Sequence, residues 1–109
     1  MPTPDDFRRI ALAFPGAEEG RHMGHADFRV AGRIFATLGV PNEGWGMAAL
    51  MPEQQEDFMS LAPEAFKPAA GAWGRGGSTL VRLDAVSEDL LEAALSAAWR
   101  KRARGRLQD

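Results

Sequence analysis

The sequence contains no cysteine, which excludes a disulfide framework, a thiolate zinc site and a cysteine nucleophile together. Long apolar runs are missing as well. The longest, Ile10–Phe14 and Met47–Met51, have five residues each, against the roughly 20 a membrane-spanning helix requires, so no membrane partner is expected. Neither sign of charge dominates: 13 bases against 15 acids give a formal net charge of −2, which supplies no global attraction to nucleic acid or anionic lipid. Asp5 and Asp6 stand where a signal peptide would carry positive charge; none is expected, and the reading is of a cytoplasmic protein.

What is present fits one soluble domain spanning residues 1–109. A chain of 109 residues with 45% hydrophobic and 26% charged side chains is long enough for a single core and too apolar for disorder. Charge is unevenly spread. Residues 1–66 hold five bases and ten acids, a net of −5, and residues 67–109 hold eight bases and five acids, a net of +3. Arg100, Lys101, Arg102, Arg104 and Arg106 crowd the end of the chain. Cations suit a helix C-terminus, and residues 103–109 read as a basic, frayed tail.

Periodicity sets the elements. Thr3, Pro4 and Asp6 signal a capped helix start, and Phe7, Ile10, Ala11 and Phe14 follow as an apolar stripe that Pro15–Gly16 ends. Residues 18–22 read as a polar loop. Ala26, Phe28 and Val30 alternate with Asp27 and Arg29 as a strand, Ala31–Gly32 makes a tight turn, and residues 33–38 return with Ile34, Ala36 and Leu38 on one face. A turn at Pro41–Gly44 leads to a third strand over residues 45–50. Pro52 opens a second helix with Phe58, Leu61 and Ala62 inward, residues 70–77 form a glycine-rich loop, residues 79–84 a strand, and Ser87 caps a long final helix. The order α-β-β-β-α-β-α predicts a two-layer α+β domain, an antiparallel meander of four or five strands with helices on one face.

Catalytic chemistry finds little support. No serine sits in a nucleophile elbow, and the adjacent carboxylate pairs Asp5–Asp6 and Glu18–Glu19 lie on polar segments where nothing tunes them. The expectation is a protein that is not an enzyme and needs no cofactor. His22, His25 and Asp27 are the one set that could begin a metal site; with no cysteine or further histidine to complete the shell, a local hydrogen-bonding role is the simpler reading. Gly74, Gly76 and Gly77 precede a strand and match neither phosphate-loop pattern. They present Trp73 and Arg75 together, an indole that stacks and a guanidinium that forks onto phosphate, unless Trp73 folds back onto the core. Arg29 and Arg33 flank the hairpin turn, and Arg82 points away from the core side of its strand. If that face adjoins Arg75, the cations merge into one patch.

Phe7–Leu12, Phe14–Gly16 and Glu19–Gly20, followed by His25–Ala36, Ala72–Leu83 and Ala97–Arg100, resemble in order and spacing the MmcQ/YjbR family. The resemblance covers about residues 7–102. It implies a YjbR-like fold similar to that of the frataxin/CyaY group, and a bacterial-type DNA-binding protein of "double wing" form. On that reading Arg29, Arg33, Arg75 and Arg82 contact phosphates through the hairpin and the glycine-rich loop, and Trp73 stacks. The alternative is a small-molecule or protein-interaction module using the sheet face near Trp45, Trp73 and His25. Neither reading fixes an oligomeric state.

Overall fold

The computed structural model describes residues 2–107, with side chains through residue 104. Helix α1 (Pro4–Ala13) begins at a closed capping box: the Thr3 hydroxyl accepts from the Asp6 N–H at 3.1 Å, and the Asp6 carboxylate accepts from the Thr3 N–H at 2.9 Å. That contact with the Thr3 N–H is the main reason the Asp6 carboxyl lies below its ordinary value. Strands β1 (Glu18–His22), β2 (His25–Val30), β3 (Arg33–Leu38) and β4 (Trp45–Ala49) follow as an antiparallel meander. Helix α2 (Pro52–Leu61), strand β5 (Phe66–Pro68), helix α3 (Gly71–Arg75), strand β6 (Ser78–Arg82) and helix α4 (Glu88–Leu107) complete the described order. The six strands pair antiparallel in the order β1-β2-β3-β4-β6-β5.

The α+β class and the helix-covered antiparallel sheet are as the periodicity predicts, with three differences. First, the polar segment 18–22 is strand β1. Its exposed edge needs no apolar alternation, so the pattern hid it. Met23 and Gly24, with φ of 52° and 80°, form the two-residue turn into β2, and Ala31 and Gly32, at 54° and 77°, repeat that geometry into β3; two positive φ values suit the right-handed twist of a hairpin. Second, three-residue β5 adds the opposite edge. Third, the glycine-rich segment contains helix α3, because Gly74 packs its backbone against the chain: a Cβ there would lie 1.8 Å from the Ala69 carbonyl oxygen.

One face of the sheet carries the core. Phe7 and Ile10 of α1, Phe28 and Val30 of β2, Val81 of β6, and Leu91, Ala94, Leu95 and Ala98 of α4 are buried together. Helix α2 joins through Phe58, whose ring centroid lies 5.2 Å from that of Phe66. Leu61, expected inward, is exposed, and α2 buries Gln55 instead. The Gln55 amide nitrogen lies 3.0 Å from the Gly74 carbonyl oxygen and 3.1 Å from the Thr79 hydroxyl, tying α2 to α3 and β6. A bulge in the β2–β3 pairing makes Phe35 the extra residue. Phe35 and Ala36 are both fully buried in the core, while Ile34 turns to the other side of the sheet rather than sharing the face of Ala36.

The basic end of the chain, read from the sequence as a tail from residue 103, is helical over its described residues. Helix α4 runs to Leu107, and Ala103 packs against the core; Gln108 and Asp109, also assigned to that tail, lie outside the described residues. The Lys101 ammonium donates to the Leu50 carbonyl at 2.9 Å, and Arg102 Nε–H donates to that of Ile34 at 3.0 Å. These two cations therefore bind α4 to the ends of β4 and β3 instead of standing in solvent.

Candidate functional site

The open face of the sheet divides into a polar zone over β1–β2 and an apolar cavity over β3, β4 and β6. Strand parity builds both. Residues that alternate with the core positions Phe28, Ala48 and Val81 project to this side: Asp27 beside Thr37, Thr37 beside Met47, and Met47 beside Leu80.

In the polar zone, Asp27 is completely buried although it projects to the face opposite the core. Its carboxylate accepts from Arg29 Nε–H at 2.7 Å and from an Arg29 terminal N–H at 3.1 Å, and it meets His22 Nδ1 at 2.6 Å. The Arg29 hydrogen bonds hold the Asp27 carboxyl below its ordinary value; burial opposes this shift and the His22 contact adds to it. A buried charge persists only when paired and hydrogen-bonded, as here. His22 pairs in register with His25 at the end of the β1–β2 ladder. The three residues suggested as a metal set thus do not converge. The Asp27 oxygens are committed to Arg29 and His22, and no group of three or more potential ligands forms among the described residues.

The cavity has a volume of about 470 Å³, within the range of roughly 300–1,000 Å³ typical of small-molecule sites. Ile34, Thr37, Met47, Ala49 and Leu80 form its floor, and Val40 and Pro41 wall one end. Trp73 of α3, a residue 78% exposed, walls the other, so the indole neither folds into the core nor floats on a loose loop. Besides Thr37 in the floor, the polar lining residues are Ser78, His22 and Arg102, the last two at opposite ends of the β3 stretch. Burial, with Arg33 nearby, draws the Arg102 guanidinium below its ordinary value, though an arginine remains charged.

The arginines named from the sequence are only partly brought together. Arg29 is taken up by Asp27. Arg82 is paired with Asp84 at 2.8 Å and lies, with Lys67, over Trp45: the Lys67 nitrogen is 4.8 Å and the Arg82 guanidinium carbon 6.0 Å from the ring centre. This cluster occupies the end of the sheet where β4 begins and β6 finishes. Arg75, on α3, precedes the start of β6, so Arg82 and Arg75 stand at opposite ends of one strand and do not merge. Arg33 begins β3 and shares an end of the sheet with Arg75. Both are exposed, and neither has a carboxylate partner among the described residues.

Sequence reasoning missed Arg102, Ile34 and Met47. A usable signal existed for the last: Met47 and Leu80 are apolar at positions facing away from the core, which indicates cover on both faces. Arg102 left no such trace, since a cation near a helix end is ordinary.

No curated protein matches the chain. Among solved structures, the crystal structure of Deinococcus radiodurans protein DR2400, a DUF419 domain, is similar in fold, with a TM-score of 0.75 and 21% identity over 91% of this chain and 77% of that one. The YjbR family matches residues 12–101, a span from the end of α1 to Lys101 that takes in every strand and the cavity floor, and the chain belongs to that family.

Proposed function

We propose that the protein is a non-catalytic binding module whose site is the open-face cavity, taking a small ligand with an apolar body. The observation that carries this reading is the cavity itself: a mostly apolar floor of adequate volume on the open sheet face, walled by Trp73 of α3, with Arg102 and His22 at its rim. An open face with no function is normally polar, whereas Met47, Ala49 and Leu80 are apolar here. Cinnamate, an apolar-bodied carboxylate, is a suitable probe. Its titration is expected to shift the amide resonances of Thr37, Met47 and Leu80 saturably. Ala49→Leu, which fills the cavity floor, is expected to abolish those shifts. Unchanged shifts in that variant, or none in the wild type, overturn the reading.

A second reading, contact with DNA as the family resemblance implies, is favoured by one observation: Trp73, Arg75 and Arg33 are exposed at the same end of the sheet. Arg29 has no part in it, and Arg82 would act separately. If Arg33, Arg75 and Arg82 each neutralise a phosphate, log K for duplex DNA falls against log salt with a slope of about −3. An Arg33→Ala, Arg75→Ala double variant is then expected to bring the slope to about −1. Equal binding and slope in wild type and variant exclude these residues.

A further inference from the structure

The buried carboxylate beneath His22 does more than close an ion pair. A carboxylate oxygen can only accept when ionised, so the 2.6 Å contact with Asp27 requires the proton on His22 Nδ1. In the neutral ring that leaves a lone pair on Nε2, the imidazole's only other polar atom. Asp27 cannot turn away, because both of its oxygens are held by Arg29. The arrangement thus fixes one tautomer of a residue that lines the cavity.

At the other end, Arg102 spends Nε–H on the Ile34 carbonyl. Its terminal nitrogens have no partner among the described residues. With the His22 ring neutral, the cavity therefore carries a hydrogen-bond acceptor at one end, a cation at the other and a floor between them that is apolar apart from Thr37. A ligand that displaces water from both must replace the hydrogen bonds water made.

Resting on the cavity reading above, we propose that the ligand is an elongated aromatic or alicyclic anion with a hydroxyl or N–H group remote from its charge. The anion meets Arg102, and the remote group donates to His22 Nε2. Asp27 is a positioning residue that acts through His22.

Para-coumarate has this form, cinnamate lacks the hydroxyl and para-coumaryl alcohol lacks the charge. In calorimetric titrations para-coumarate is expected to bind about tenfold more tightly than cinnamate, the scale of one good hydrogen bond. His22→Phe is expected to erase that ratio while leaving cinnamate within about twofold. Arg102→Gln should weaken both acids and leave the alcohol unchanged. Asp27→Asn offers Nδ1 an amide N–H, so the imidazole proton moves to Nε2; nitrogen NMR of His22 reports that exchange directly, and the preference for para-coumarate disappears with it. Should Asp27→Asn fail to fold, His22→Phe still decides the matter. Equal binding of para-coumarate and cinnamate to the wild type, with Ala49→Leu excluding both, overturns the His22 assignment and leaves the cavity standing. Binding that Ala49→Leu does not touch overturns the cavity reading itself.

Discussion

The two faces of the sheet are built from the same strands and obey different rules. On the helix side the buried positions are apolar apart from the hydrogen-bonded pair Gln55 and Thr79, and the rings lie against one another: Phe7 lies 5.8 Å from Phe28, and Phe14 the same distance from Trp99. Trp99 also donates to the Pro15 carbonyl at 2.9 Å, which pins the end of α1 to α4. On the open side, burial is achieved without a covering layer. Asp27 is as buried as Phe28 next to it, yet Phe28 is buried by packing and Asp27 by its own ion-pair partners. The comparison shows that burial alone does not mark a core. What matters is whether a residue is buried by apolar contact, which tolerates no polar atom, or by a closed set of hydrogen bonds, which requires them.

Four substitutions test that contrast. The largest effect is expected on the helix side: Phe28→Ala should cost about 3–5 kcal/mol in urea unfolding. Asp27→Asn, one residue away on the opposite face, should cost about 1.5–3 kcal/mol by losing charged hydrogen bonds, and unlike Phe28→Ala its cost should depend on pH. The Asp27 carboxyl lies below its ordinary value in the fold, so its contribution is complete above the unfolded value of about 3.9 and is lost as pH falls through the lower folded value. The wild-type advantage is therefore expected to be flat from about pH 7 to pH 5 and to close below about pH 4. A gap that persists at low pH would show that Asp27 works by packing after all.

Arg102→Ala comes next, at about 0.5–1.5 kcal/mol for the lost bond to Ile34, measured as a change in urea midpoint with an unaltered slope. The smallest effect is a gain. Met23 is 88% exposed at a φ of 52°, so Met23→Asn should raise stability by about 0.5 kcal/mol by easing the left-handed turn. Thermal unfolding of the paired proteins checks the sign.

Much of the helix-side architecture could be read before any coordinates. The capping box at Thr3 and Asp6, the stripe of Phe7, Ile10 and Ala11, the Ala31–Gly32 turn and the Ser87 cap, whose hydroxyl accepts from the Leu90 N–H at 3.1 Å, are local features within a few residues of one another. Misplaced positions are those set by non-local geometry. Ile34 changed faces because of a bulge opposite β2, and Leu61 lost the inward position to Gln55 because three acceptors from α3 and β6 met the amide there. Of the candidate site, His22 was legible as a polar partner, whereas the sequence left Trp73 open between solvent and core. Arg29 was not legible as a committed one: its partner Asp27, two residues away, looks in sequence like any solvent-facing carboxylate.

The apolar sheet face, the Ala31–Gly32 turn and the capped helix starts were readable from the order of residues alone, because those follow from side-chain period, φ preference and hydrogen bonds between near neighbours. Which arginines remain available was settled by the folded arrangement. Whether a guanidinium meets a carboxylate, a sheet carbonyl or solvent depends on where strands paired across the sheet and a helix end more than 60 residues away come to rest. Coulomb and hydrogen-bond energies act over a few ångströms of space and take no account of distance along the chain.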